Sequence, residues 1–295
     1  MTENHSIPHF AFTNEAEELW TKVEGVRMRY LRAGSGPPLV LVHGLLGYSF
    51  SWRFNMDALA QHRTVYAVDM PGAGFSEHSP KLDCSFRGSA LRVLHFADNL
   101  GLDSFELLGT SHGGAVVMIA TAIANRERSS RVRNLILVAP VNPWSAHGRE
   151  LAPFVSGPLI SNVVTWSLQN LKFTYSFLLR RLYGDPRRIA PGTLEGYSRP
   201  YARADSFRYP MQILCTWNRD LDELERAIPS IDVPVLLLWG SRDTAVCPDS
   251  APILASRLPR CELLMFSGVG HLPYEEMPEE FNGRVIKFLN SGPAG

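Results

Sequence analysis

The run Gly109-Thr110-Ser111-His112-Gly113 sets a serine two residues from a glycine on either side, and Gly114 follows. That spacing suits a nucleophile held on a sharp turn between a strand and a helix. A side chain two positions away would meet the neighbouring strand or helix, so glycine stands there and the serine hydroxyl is lifted clear of the backbone. Ordinary glycine and serine frequencies produce such a pentad by chance in roughly one chain in ten of this length. Its meaning therefore rests on context: the apolar run FELLGT precedes it and the helix-like GGAVVMIATAIANR follows.

A serine hydroxyl attacks poorly until a base takes its proton, and the base needs a partner that fixes its orientation. His271, in GVGHLPYEEMP, is the candidate general base, and Asp243, in WGSRDTAVCP, is the candidate acid that orients it. Each stands just beyond an apolar run, and the chain order is serine, aspartate, histidine. The oxyanion of an acyl-transfer intermediate needs two donors as well. The backbone N–H groups of Leu45, in the turn His43-Gly44-Leu45, and of His112, at a helix start where the macrodipole favours negative charge, are the candidates. On this reading the His112 side chain does not act, His43 is a structural histidine beneath the site, and no metal or organic cofactor is needed.

These residues meet only if strands bring them to one edge. Short, nearly continuous apolar runs at 38–43, 64–70, 105–110, 132–140, 233–240 and 261–268 read as parallel strands buried on both faces, with helical stretches between them. LWTKVEG and VRMRYLRAG, hinged at Gly25, predict an antiparallel hairpin ahead of them. The fold class is thus α/β, a doubly wound, mostly parallel sheet whose site lies beyond the carboxyl ends of its strands. Residues 141–230 carry no buried-strand signal but many aromatics and amphipathic helical patterns, with prolines at both ends. They predict a helical cap inserted into a core formed by 1–140 and 231–295.

Apolar residues make up 45% of the chain and charged residues 20%, which marks a globular protein. With 29 basic and 29 acidic residues the formal net charge is zero, so no field gathers phosphate backbones and nucleic acid is not an expected partner. Cys84, Cys215, Cys247 and Cys261 stand singly and read as free, mostly buried thiols rather than a metal site or a disulfide framework. MTENHSIPHFAF lacks the pattern of a secretory signal, and no apolar run reaches the roughly 18 residues of a membrane span, so a cytoplasmic protein is expected.

The segments HGLLGYSFSW, DMPGAGFS, GTSHGG, WGSRD and GHLPYEEMPEEF resemble successive signatures of the α/β-hydrolase superfamily and span nearly the whole chain apart from the cap. The first two resemble the branch that holds epoxide hydrolases and haloalkane dehalogenases, which use an aspartate where Ser111 stands. The resemblance therefore implies a serine esterase-like or related acyl-transfer activity on a small, apolar, ester-like molecule, not epoxide or carbon–halogen chemistry. Carbon–carbon bond hydrolases, cofactor-free perhydrolases and lactonases share the same triad. A hydroxynitrile lyase fits less well, because no lysine lies between Lys172 and Lys287. A non-catalytic ligand-binding protein of this fold is the alternative of another class; such proteins often lack a member of the triad, and all three are present here.

Within the cap, Trp144, Phe154, Trp166, Phe173, Tyr175, Phe177 and Tyr183 are candidates to line an apolar pocket or to pack the cap onto the core. Asp220, Asp222, Glu223 and Glu225 offer an amine-binding cluster or a solvated helix face, and Arg180, Arg181, Arg187 and Arg188 a carboxylate site or a solvated surface. Trp52 and Met70 flank the predicted site loops and are candidate substrate contacts.

Overall fold

The computed structural model describes residues 16–127, 131–145, 149–150, 172–202 and 207–291. The predicted hairpin pairs β1 (Glu17–Val23) with β2 (Val26–Ala33) in antiparallel register. Glu24 and Gly25 turn it with φ of 49° and 83°, a two-residue turn in which glycine meets no steric cost.

Six more strands follow: β3 (Pro38–Val42), β4 (Thr64–Val68), β5 (Phe105–Thr110), β6 (Val132–Val138), β7 (Val235–Gly240) and β8 (Cys261–Phe266). They stand in the order β1-β2-β4-β3-β5-β6-β7-β8 and are parallel from β4 to β8. Several ladders stop short of the apolar runs that announced them, because the run stays buried after the last strand pair; Asp69 and Met70 beyond β4 are examples. In β3, Leu39 and Leu41 face one core with Leu108, Ile136 and Leu236, while Val40 and Val42 face the other with Leu107, Leu135 and Leu237. That two-sided burial is why the strands read as continuous apolar runs rather than alternating ones. The chain leaves β3 towards β4 on one side, and β5 returns on the other, so the crevice at this switch point opens beside the carboxyl ends of β3 and β5.

Helix α1 (Met56–Ala60) joins β3 to β4, α2 (Phe86–Asn99) precedes β5, and α3 (His112–Glu127) follows it. Ser85 caps α2 by accepting the Gly88 N–H at 3.0 Å. Between β6 and β7 lie α4 (Lys172–Leu182), α5 (Thr193–Ser198), α6 (Arg208–Cys215) and α7 (Trp217–Ala227), with no strand among the described residues of that interval. Residues 146–148, 151–171 and 203–206 of the expected cap, Phe154 and Trp166 among them, lie outside the described residues, as do the side chains of Phe173 and Tyr175. Helices α8 (Ser250–Arg257), α9 (Pro273–Glu276) and α10 (Pro278–Asn290) complete the chain. Among the described residues no helix is long and apolar enough to cross a membrane.

Two expectations need correction. The cysteines carry no disulfide, but only Cys84 is buried; Cys247 and Cys261 are half-buried and Cys215 is exposed. The acidic run of α7 is divided as well. Asp222, Glu223 and Glu225 form surface pairs with Arg149 and Arg87, whereas Asp220 is fully buried and accepts the Phe86 N–H at 3.1 Å and the Thr216 hydroxyl at 2.7 Å. Asp220 therefore supplies the partner for the first N–H of α2, tying α7 to the core.

Candidate active site

Ser111 stands between β5 and α3 with φ of +52°, a left-handed conformation that a residue with a Cβ adopts at a cost. The turn is held by its own backbone: the Ser111 N–H donates to Val138 O at 2.9 Å, and its carbonyl accepts from Val141 N–H at 2.9 Å and Gly114 N–H at 3.0 Å. The flanking glycines are needed for contact rather than conformation. A Cβ on Gly113 would lie 2.3 Å from His43 O and 2.5 Å from Val42 O, and one on Gly109 2.5 Å from Gly113 O. The first clash is with the neighbouring strand and the second with the helix that follows the serine turn, the two collisions expected from the motif.

Beyond β3, Gly44 passes over the serine, where a Cβ would come within 3.0 Å of Ser111 Cβ. The Gly44 carbonyl accepts the Gly47 N–H at 3.0 Å and faces His43 Nδ1 at 2.8 Å, while Met70 N–H reaches His43 Nε2 at 3.1 Å. A carbonyl only accepts and an N–H only donates, so His43 carries its proton on Nδ1. The peptides are trans, so fixing Gly44 C=O towards His43 turns the Leu45 N–H the opposite way. Burial lowers the His43 imidazole's affinity for a second proton. Below it, Asp69 is fully buried and holds the loop by accepting from Ser49 N–H (2.8 Å), Phe75 N–H (3.0 Å) and the Arg29 guanidinium (3.1 Å).

After β7, Asp243 Oδ1 accepts the N–H groups of Ala245 (2.8 Å) and Val246 (3.0 Å). Its Oδ2 lies 2.7 Å from His271 Nδ1, so the imidazole donates there and Nε2 is left as the basic nitrogen. The two loops are laced together by Arg242 N–H to Val269 O at 2.8 Å, and His271 N–H donates to Leu182 O at 2.7 Å at the end of α4.

Ser111 and His271 line one cavity of about 100 Å³ together with the apolar Leu45, Leu178, Leu179 and Leu182 and the hydroxyl-bearing Ser51, Thr110, Tyr197 and Tyr274. A larger open groove of about 1490 Å³ lies at the amino ends of the strands. It is a surface of paired charges, such as Arg63 with Glu106 and Arg87 with Glu223, and holds neither the serine nor the histidine. The His112 ring is buried between Phe86 and Trp217, and burial, with His43 next, pushes its pKa down to about 3. Trp52 and Met70 are buried but do not line the cavity; Trp52 packs on Tyr274. Arg180, Arg181 and Arg187 face water, Arg188 is half-buried, Phe177 is exposed and Trp144 is half-buried.

Sequence reasoning missed the charges behind the cavity. Glu275 accepts from Arg53 Nη2 at 2.5 Å, from the Tyr183 hydroxyl at 2.5 Å and from the Tyr197 hydroxyl. Its neighbour Glu276 accepts from Gly270 N–H (2.6 Å), Gly184 N–H (2.9 Å) and Asp185 N–H (3.2 Å), fastening the His271 loop to the end of α4. The one signal was the adjacent Glu-Glu of PYEEMP, which by type reads as surface.

A model of the α/β hydrolase fold family matches residues 37–278. Haloalkane dehalogenase 2 of Mycobacterium bovis is 28% identical over 92% of this chain and 94% of its own length. The dihydrolipoyllysine-residue acetyltransferase component of the acetoin cleaving system of Pseudomonas putida is 29% identical over 91% of this chain and 68% of its own. The solved structure of the epoxide hydrolase CorEH superposes with a TM-score of 0.82 at 24% identity, covering 94% of this chain and 99% of the other. A parallel sheet of this order, a strained serine at its centre and a family match over most of the chain lead to one conclusion: the chain belongs to the α/β hydrolase fold family and is a hydrolase.

Proposed function

We propose that this hydrolase cleaves a carboxylic ester or related acyl bond through an acyl-Ser111 intermediate. The observation that carries the reading is the 2.7 Å hydrogen bond from His271 Nδ1 to Asp243, which leaves Nε2 as the basic nitrogen of a histidine that lines the same cavity as Ser111. Ser111 Oγ attacks the carbonyl carbon while His271 Nε2 takes its proton, and Asp243 stabilises the imidazolium. The Leu45 and His112 N–H groups hold the oxyanion. As the tetrahedral intermediate collapses, His271 gives the proton to the leaving alcohol, and water then repeats the sequence on the acyl-enzyme and frees the acid. In the same reading, α4 to α7 act as a cap over the site.

With a serine at position 111, the carboxylate-nucleophile chemistry of the epoxide hydrolase and dehalogenase branch is not proposed. The test is hydrolysis of p-nitrophenyl esters of increasing acyl length by the wild type and by Ser111→Ala. Turnover by the wild type that vanishes in the variant supports the reading; a folded Ser111→Ala protein with full activity contradicts it.

A further inference from the structure

The hydrogen bonds around the hydroxyls that line the cavity have a direction. Glu275 is buried beside the Arg53 guanidinium, so both of its oxygens accept: Oε2 from Arg53 and Tyr183, Oε1 from Tyr197. A tyrosine has one proton, and that of Tyr197 is committed to Glu275. Burial and the Glu275 charge hold this phenol well above its ordinary pKa, which keeps the proton on. Ser51 Oγ lies 3.1 Å from the Tyr197 oxygen. Two lone pairs would repel at that distance, so Ser51 is the donor and its own proton is spent on Tyr197. What Ser51 Oγ has left is acceptor capacity, and among the described residues no hydrogen-bond donor other than this shared contact is directed at it. The side chain is 1% exposed and lines the cavity with Ser111. A buried acceptor without a donor is costly, and a substrate that supplies one removes that cost.

We propose that Ser51 is a specificity-determining residue: with its proton turned away towards Tyr197, Ser51 Oγ selects substrates carrying a hydroxyl or N–H donor near the reacting carbonyl. Arg53, Glu275, Tyr183 and Tyr197 set this polarity without touching the substrate's reacting atoms, and Tyr197 brings it to the cavity from α5. A substrate with a keto or ether oxygen in the same place would face a second lone pair and be disfavoured. The inference rests on the serine-hydrolase reading of the same cavity and adds the chemical class of group that the cavity takes.

The test uses p-nitrophenyl esters matched in length, with a methylene, a hydroxyl-bearing carbon or a keto group at each successive position of the acyl chain and of the alcohol arm. Where the ester is turned over too slowly, the rate of phosphonylation of Ser111 by correspondingly substituted fluorophosphonates is read instead. Wild type is expected to favour the hydroxyl over the methylene by about tenfold in kcat/KM at one position. Ser51→Ala should erase that ratio. Tyr197→Phe removes the group that takes the Ser51 proton, so Ser51 can donate into the cavity and the keto compound should gain relative to its value in wild type. A structural loss would lower all three substrates together and leave both ratios unmoved. Ratios that stay within twofold of wild type in both variants, or a wild type that favours keto over hydroxyl, overturn the proposal while the serine mechanism stands. Turnover or labelling that persists in Ser111→Ala, or is absent from the wild type, overturns the serine mechanism and the proposal with it.

Discussion

Glu275→Gln is a near-isosteric change in a fully buried ion pair. The side chains of Arg53 and Glu275 are 3% and 0% exposed and meet at 2.5 Å. The substitution leaves a guanidinium in a site from which water is excluded and turns an amide NH2 towards donors that had a carboxylate. Removing one partner of such a pair costs roughly 3–5 kcal/mol. For a chain of this size about 2–4 °C of midpoint is lost per kcal/mol, so the thermal midpoint should fall by roughly 6–20 °C. The physical content lies in the coupling. Arg53→Met should be costly for the mirror-image reason, yet the double variant Arg53→Met/Glu275→Gln should lose less than the two single losses together by about 2 kcal/mol, because neither charge is then left alone. Denaturant unfolding of the four proteins measures this directly. Single losses that add to within about 0.5 kcal/mol, or a Glu275→Gln midpoint within a degree or two of the wild type, would refute the account of this pair.

Three further outcomes follow from distances and charges already described. Gly113→Ala puts a methyl carbon against two backbone carbonyls at 2.3 and 2.5 Å, neither of which can rotate away, so a loss of about 3 kcal/mol in unfolding free energy is expected; an unchanged midpoint would mean that β3 and α3 part more easily than their packing implies. His43 and His112 are neutral in the fold, while the unfolded chain binds protons below about pH 6.5, so each costs stability as pH falls from there towards the depressed folded value, about 3 for His112. Replacing His112 with leucine should therefore flatten the stability profile between about pH 6 and pH 4 by about 1.4 kcal/mol per pH unit, and an unchanged slope would contradict the burial argument. Asp243→Asn should lower kcat by about 10³–10⁴ in the ester assay through loss of the correct His271 tautomer, with near-UV circular dichroism unchanged; a loss below tenfold would remove Asp243 from the mechanism.

The sheet was legible because strands buried on both faces leave continuous apolar runs, because Gly25 takes the positive φ of the hairpin turn, and because the glycines around Ser111 mark places where a Cβ has no room. Residues 111, 243 and 271 could be named as candidates because each follows such a run, where a parallel sheet ends its strands together. What could not be read were residues whose burial contradicts their type. Asp220 sits in a run of acids that otherwise faces water, and only the approach of α2 makes it an internal cap. Arg53, Glu275 and Glu276 look like surface charges until three separated segments converge on them. Trp52 and Met70 show the opposite limit: next to the site in sequence, they pack behind it, since one turn of a loop reverses the direction in which a side chain points.

The central claim is that Ser111 is the nucleophile, and covalent trapping tests it most directly. Wild-type protein treated with an alkyl fluorophosphonate should gain the mass of one phosphonyl group per chain, on the peptide containing Ser111, and the label should be absent from folded Ser111→Ala. A label on another residue, or equal labelling of the two proteins, would contradict the account.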